Sequence, residues 1–100
     1  MKREVFNQYV ELVVNMFDIT KKEFFKKSKK RNLTEARHMV YYLCAMRPMR
    51  VRWIQEYMSD HGYDISHSSI IHGIKMVEDK VDTDRDYKAI VKRFELSCEV

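Results

Sequence analysis

Ser66, His67, Ser68 and Ser69 place four hydrogen-bonding side chains in a row, and His72 and Lys75 follow within two helical turns. At 100° per residue, Ile70, Ile74, Val77 and Val81 fall on one side of a helix. Ser68, Ser69, His72 and Lys75 fall on the other, with Met76 and Asp79 nearby. Hydroxyl, imidazole and ammonium groups presented together are the groups that address base edges and phosphates. Ser66 and His67 stand at the helix start, where free N–H groups and the positive dipole end favour a phosphate. His67 lies near the edge of the apolar stripe, so a half-buried packing role is its competing reading. His67 and His72 are five positions apart and share no face, which makes them a poor metal pair. No Ser–His–Asp or Cys–His arrangement marks a nucleophile, so the residues point to binding and away from catalysis.

A second group of side chains carries charge. The segment KKEFFKKSKKR, residues 21–31, holds seven positive charges and one negative. Residues 1–52 carry thirteen basic and five acidic side chains, a net of +8, and residues 53–100 carry six and ten, a net of −4. Such a block attracts a polyanion, either nucleic acid or an anionic membrane surface. A solvated lysine face that only keeps the protein soluble fits the charge count equally well. Arg47, Arg50 and Arg52 add three guanidinium groups that flank the first helix of the pair described below.

Composition removes several other classes. The 2 glycines, Gly62 and Gly73, are too few and too far apart for a phosphate-cradling loop, so nucleotide binding is not expected. The 2 cysteines, Cys44 and Cys98, form no CxxC pair, and Cys44 sits in an apolar run as a small core residue. Neither an oxidising compartment nor a zinc site is indicated, and no cofactor is expected. The N-terminal stretch lacks a signal-peptide core, and no run approaches the length that spans a bilayer. These features read as a cytoplasmic protein.

The 100 residues form a single domain, with a 45% apolar fraction that supports one core. One proline and two glycines argue for helices over a turn-rich β fold. Val5, Tyr9, Leu12, Val13 and Met16 predict a helix over 3–17. Thr20 and Glu23 form a capping-box pattern for a short second helix. Asn32 and Glu35 offer a similar cap for a third, apolar around most of its circumference and therefore central, ended by Pro48. Val51, Ile54, Tyr57 and Met58 give a fourth, closing before Gly62 as a left-handed turn. Ser66 caps a fifth, with Ile70, Ile71, Ile74, Val77 and Val81 as its apolar stripe. Asp82-Thr83-Asp84 recaps the chain for a sixth, marked by Tyr87, Ile90, Val91 and Phe94. The fold class is all-α, a compact six-helix domain.

The helices near 50–60 and 66–81, joined by a turn with glycine, have the helix-turn-helix pattern. Two longer stretches make that pattern specific: VVNMFDITKKEFFKKSKKRNLTEARHMVYYL and ISHSSIIHGIKMVEDKV. Between about Val5 and Phe94 the chain resembles the C-terminal DNA-binding domain of the bacterial chromosomal replication initiator DnaA. The resemblance implies a Trp-repressor-like helix-turn-helix domain. The second stretch corresponds to the family signature commonly written GRDHTTVLHACRKIE. By that match His67 takes the place of the signature histidine, Ser68 and Ser69 of two threonines, His72 of the second histidine, and Lys75 of a basic position. In the family these positions contact bases and backbone in the major groove. Lys29 falls where the family has an arginine in the adjacent minor groove. Arg31 matches a second basic residue of that loop, and Arg37 an arginine that supports phosphate binding. The chain departs from the family where Ile65-Ser66 replaces Arg-Asp, where 59–65 is about three residues longer, and where lysine replaces arginine at Lys29.

The expectation is therefore a non-enzymatic, monomeric, sequence-specific binder of double-stranded DNA, acting in replication control or transcription regulation. The fifth helix enters the major groove. The basic loop at 26–32, with Lys29, Lys30 and Arg31, lies over phosphates, and Arg47, Arg50 and Arg52 grip the backbone. The family's upstream ATPase module is absent from this chain, which reads as a stand-alone protein of a virus or mobile element, or as a fragment. The rival reading is a protein–protein adaptor for a replication component, with the basic surface incidental.

Overall fold

The computed structural model describes residues 1–98 and contains six α-helices and no strands among them. They are α1 (Lys2–Met16), α2 (Lys21–Phe24), α3 (Arg31–Ala45), α4 (Val51–Asp60), α5 (His67–Thr83) and α6 (Arg85–Ser97). The all-helical, six-helix expectation holds. Among the described residues no helix is long and apolar enough to cross a membrane.

α3 is the centre of the domain. Leu33, Ala36, Met39, Val40, Tyr41, Tyr42, Leu43 and Cys44 are all buried, which covers nearly its whole circumference. Against it α1 packs Phe6, Tyr9, Val10 and Val13, and α5 packs Ile70 and Val77. These side chains supply the driving force, at about 1.5–3 kcal/mol for each large one removed from water. Burial also pushes the Cys44 thiol far up, so it behaves as a small apolar group.

α5 approaches α3 closely because Gly73 has no side chain. A Cβ there would stand 2.6 Å from Cδ2 of His38 and 3.0 Å from Cδ2 of Tyr41. This contact seats the first turns of α5 directly over His38 and Tyr41.

The connections follow the capping logic in three places. Thr20 and Glu23 close their capping box, with the Glu23 N–H donating to Thr20 Oγ1 at 3.0 Å and the Thr20 N–H to Glu23 Oε1 at 2.9 Å. Ser66 Oγ accepts from the Ser69 N–H at 3.1 Å. Asp84 caps α6 through the N–H groups of Asp86 and Tyr87. Gly62 adopts φ +80°, the left-handed geometry expected of the α4–α5 turn. One cap expectation fails. α3 begins at Arg31 rather than after Asn32, and its N-cap, Lys30, makes no side-chain bond. The carboxylate of Glu35, expected to reach back to Asn32, lies instead 2.8 Å from Arg31 Nε and 3.8 Å from Lys80 Nζ.

The α5 stripe also needs correction. Ile70 and Val77 are buried and Ile74 is half-buried, but Ile71 is 54% exposed. Ile71 lies 100° around the helix from Ile70, outside the arc that the helices packed on α5 cover.

Candidate nucleic-acid interface

The start of α5 is held from two sides. From its own chain, Ser66 Oγ accepts the Ser69 N–H and lies 3.0 Å from Ser69 Oγ. From α4, Gln55 donates its amide N–H to the Ile65 carbonyl at 2.8 Å, and its Oε1 lies 2.8 Å from His67 Nε2. With the Gln55 amide so engaged, the acceptor oxygen faces His67, whose Nε2–H is the donor. His67 is exposed, so the packing alternative gives way to a hydrogen-bonded surface position. Sequence reasoning does not find Gln55, since a lone glutamine on an amphipathic helix carries no pattern. Ser66, Ser68, Ser69, His72 and Lys75 are all exposed. Ser68, His72 and Lys75 follow the i, i+4, i+7 rule that keeps them on one face.

The basic loop is held differently. Its irregular part covers residues 25–30, and Arg31 and Asn32 belong to the first turn of α3, so the loop is shorter than the expected 26–32. Lys29 and Lys30 project into solvent, as does Arg31, whose side chain is 91% exposed even while paired with Glu35. Arg37 does not contact solvent in the way a phosphate ligand must. It is 4% exposed, and its guanidinium donates to the carbonyl of Phe24 at the end of α2 at 2.8 Å and to the loop carbonyls of Lys26 at 2.5 Å and Ser28 at 2.9 Å. Its assignment as a phosphate contact is therefore corrected. It shapes the loop from beneath.

Tyr63, in the α4–α5 turn, completes that support. The Arg37 guanidinium lies 4.7 Å from its ring centroid and the Lys27 ammonium 4.4 Å, and Lys27 also donates to the Asp64 carbonyl. Cation–π contacts and a charged hydrogen bond thus tie the basic loop to the turn that precedes α5. Neither Lys27 nor Tyr63 stands out in the sequence; Lys27 has no feature separating it from its neighbouring lysines.

Between loop and helix lies a groove of about 870 Å³. Lys29 and Lys27 stand on one wall, Ser66, Ser68, Ser69 and His72 on the other, and His38 and Tyr41 also line it. His38 meets His72 edge to face at 6.0 Å. Partial burial, and secondarily the neighbouring His72, hold the His38 pKa below its ordinary value, so it is neutral at physiological pH.

The three arginines expected to grip the backbone lie outside this groove. Arg52 lines a smaller neighbouring cleft with Gln55 and Ile65, and stacks 4.8 Å from the Trp53 ring. Arg50 is the N-cap of α4 and is exposed. Arg47 reaches back to α1, 3.4 Å from the Tyr9 hydroxyl. Among the described residues no three His, Cys, Asp or Glu side chains are placed to hold a metal ion. No family model, curated protein or solved structure matches the chain.

Proposed function

We propose that this chain is a non-enzymatic binder of double-stranded DNA that reads sequence with the start of α5 and grips phosphates with the basic loop. The observation that carries the reading is the groove. It joins Lys29 to Ser66, Ser68, Ser69 and His72, residues roughly forty positions apart whose types point independently to phosphate attraction and to base reading. The succession of α4, a turn with Gly62 and α5 supports it, since a helix-turn-helix pair presents the N-terminal part of its second helix to base edges. The resemblance to the DnaA C-terminal domain supports it too, and makes replication control or transcription regulation the setting. The domain acts as a monomer on an asymmetric site.

A gel shift with random duplex pools at two salt concentrations tests the reading. Retained duplex with an enriched sequence is the expected result. A protein–protein adaptor would retain no duplex, and a merely basic surface would enrich no sequence. Replacing Lys29, Lys30 and Arg31 together by alanine should weaken binding to every duplex. The slope of log affinity against log salt should flatten by close to one unit for each phosphate that the variant leaves unneutralised. An unchanged slope would reduce the loop to a solubility feature.

A further inference from the structure

We propose that Ile71 is a specificity-determining contact that seats against the 5-methyl group of a thymine in the major groove; this deepens the duplex-binding reading and rests on it. The observation is the misfit of Ile71 with its surroundings. It is 54% exposed, one residue after the fully buried Ile70, in the helix proposed to read bases. Ser68 lies one turn before it and Lys75 one turn after it, both exposed on the same side. His67, held by Gln55 of α4, marks the flank on which Ile71 stands, while Ser69 and His72 mark the opposite flank, along the basic loop. Ile71 is thus the apolar member of an otherwise polar reading face.

Leaving a branched aliphatic side chain in water forgoes burial that its neighbours Ile70 and Ile74 obtain. A bound duplex would recover it. The major-groove edge of thymine carries a methyl group, the one apolar feature among the four bases, and a short apolar side chain is its natural partner. The other large apolar side chain exposed on this helix, Met76, is less suited. It is followed by Glu78, Asp79 and Asp82, all exposed, so the second half of α5 repels a polyanion.

The test changes the DNA first, which leaves the protein fold untouched. In the duplex selected by the full chain, each thymine is replaced in turn by deoxyuridine, which removes only the methyl. At one position the wild-type protein should lose affinity about fourfold, the value of one methyl group taken out of water. The Ile71→Ala variant should bind the thymine and deoxyuridine duplexes equally at that position. Its melting temperature should match the wild type, since the side chain is largely exposed. A flat deoxyuridine series, a selected site without thymine, or an Ile71→Ala protein that keeps the fourfold penalty would each overturn the assignment while the duplex-binding reading stood. Failure to enrich any sequence would overturn that reading itself, and this assignment with it.

Discussion

The basic loop and the start of α5 face each other across one groove, yet they are built on opposite plans. α5 is positioned by a repeating pattern: Ile70, Ile74 and Val77 point inward, Ser66 caps the end, and the polar face follows from helical geometry. The loop has no repeat. Its shape depends chiefly on Arg37, a buried guanidinium nine to thirteen residues downstream that gathers three backbone carbonyls, with Lys27 and Tyr63 tying its outer side. A face set by periodicity tolerates the removal of one side chain, whereas a loop set by a single buried cation does not.

The harshest way to break that comparison is Arg37→Ala. It removes three charged hydrogen bonds from a buried position, each worth about 1.5–3 kcal/mol. A destabilisation of about 3 kcal/mol or more is expected in chemical denaturation, with weaker binding to all duplexes in the folded fraction. Unchanged stability would mean that the loop is held by something other than Arg37.

On the α5 side, His67→Ala or Ser69→Ala should cost ~1–3 kcal/mol on the preferred duplex and little on random duplex, because phosphate contacts elsewhere persist. Melting curves should be close to wild type, as both side chains are exposed. Equal weakening on both kinds of duplex, with the fold intact, would show that this helix end positions the protein and does not read sequence.

The smallest effect concerns His38, which sits behind both regions. Its pKa is lowered in the folded state, first by burial and next by His72; Lys80 and Arg37 push the same way and Glu35 opposes them. The unfolded chain therefore binds more protons than the folded one between the folded pKa and the ordinary value near 6.5. Stability contributed by neutral His38 is complete above that range and falls as pH drops through it. The melting temperature should decline modestly from pH 7 to pH 5, and His38→Gln should lessen the decline. An identical decline in the variant would assign it to other groups, His61 first, since burial lowers its pKa as well.

Much of this architecture can be read from residue order. Thr20, Ser66, Asp84 and Gly62 announce the helix ends because each acts on backbone within a few positions. Long-range support cannot be read that way. Nothing local to Arg37 reveals that it turns inward, and nothing local to Gln55 reveals that it spans from Ile65 to His67. Ile71 escapes for a different reason. It lies at the border of the apolar arc, and only the reach of the helices packed on α5 decides whether it is covered.

Gly73 gives the two regions their separation. Because its backbone rests almost directly on His38 and Tyr41, the distance between loop and reading face has no slack in the direction that would bring them closer. On the proposed reading the domain is a caliper, with one jaw on the bases of the major groove and one on the phosphates. Its opening is set at a residue of α5 that faces α3 and lies off the groove wall. A single methyl added at that hidden position would press on the His38 and Tyr41 rings, so that either those rings give way or α5 lifts from α3 and the jaws open, changing the span of DNA the domain fits.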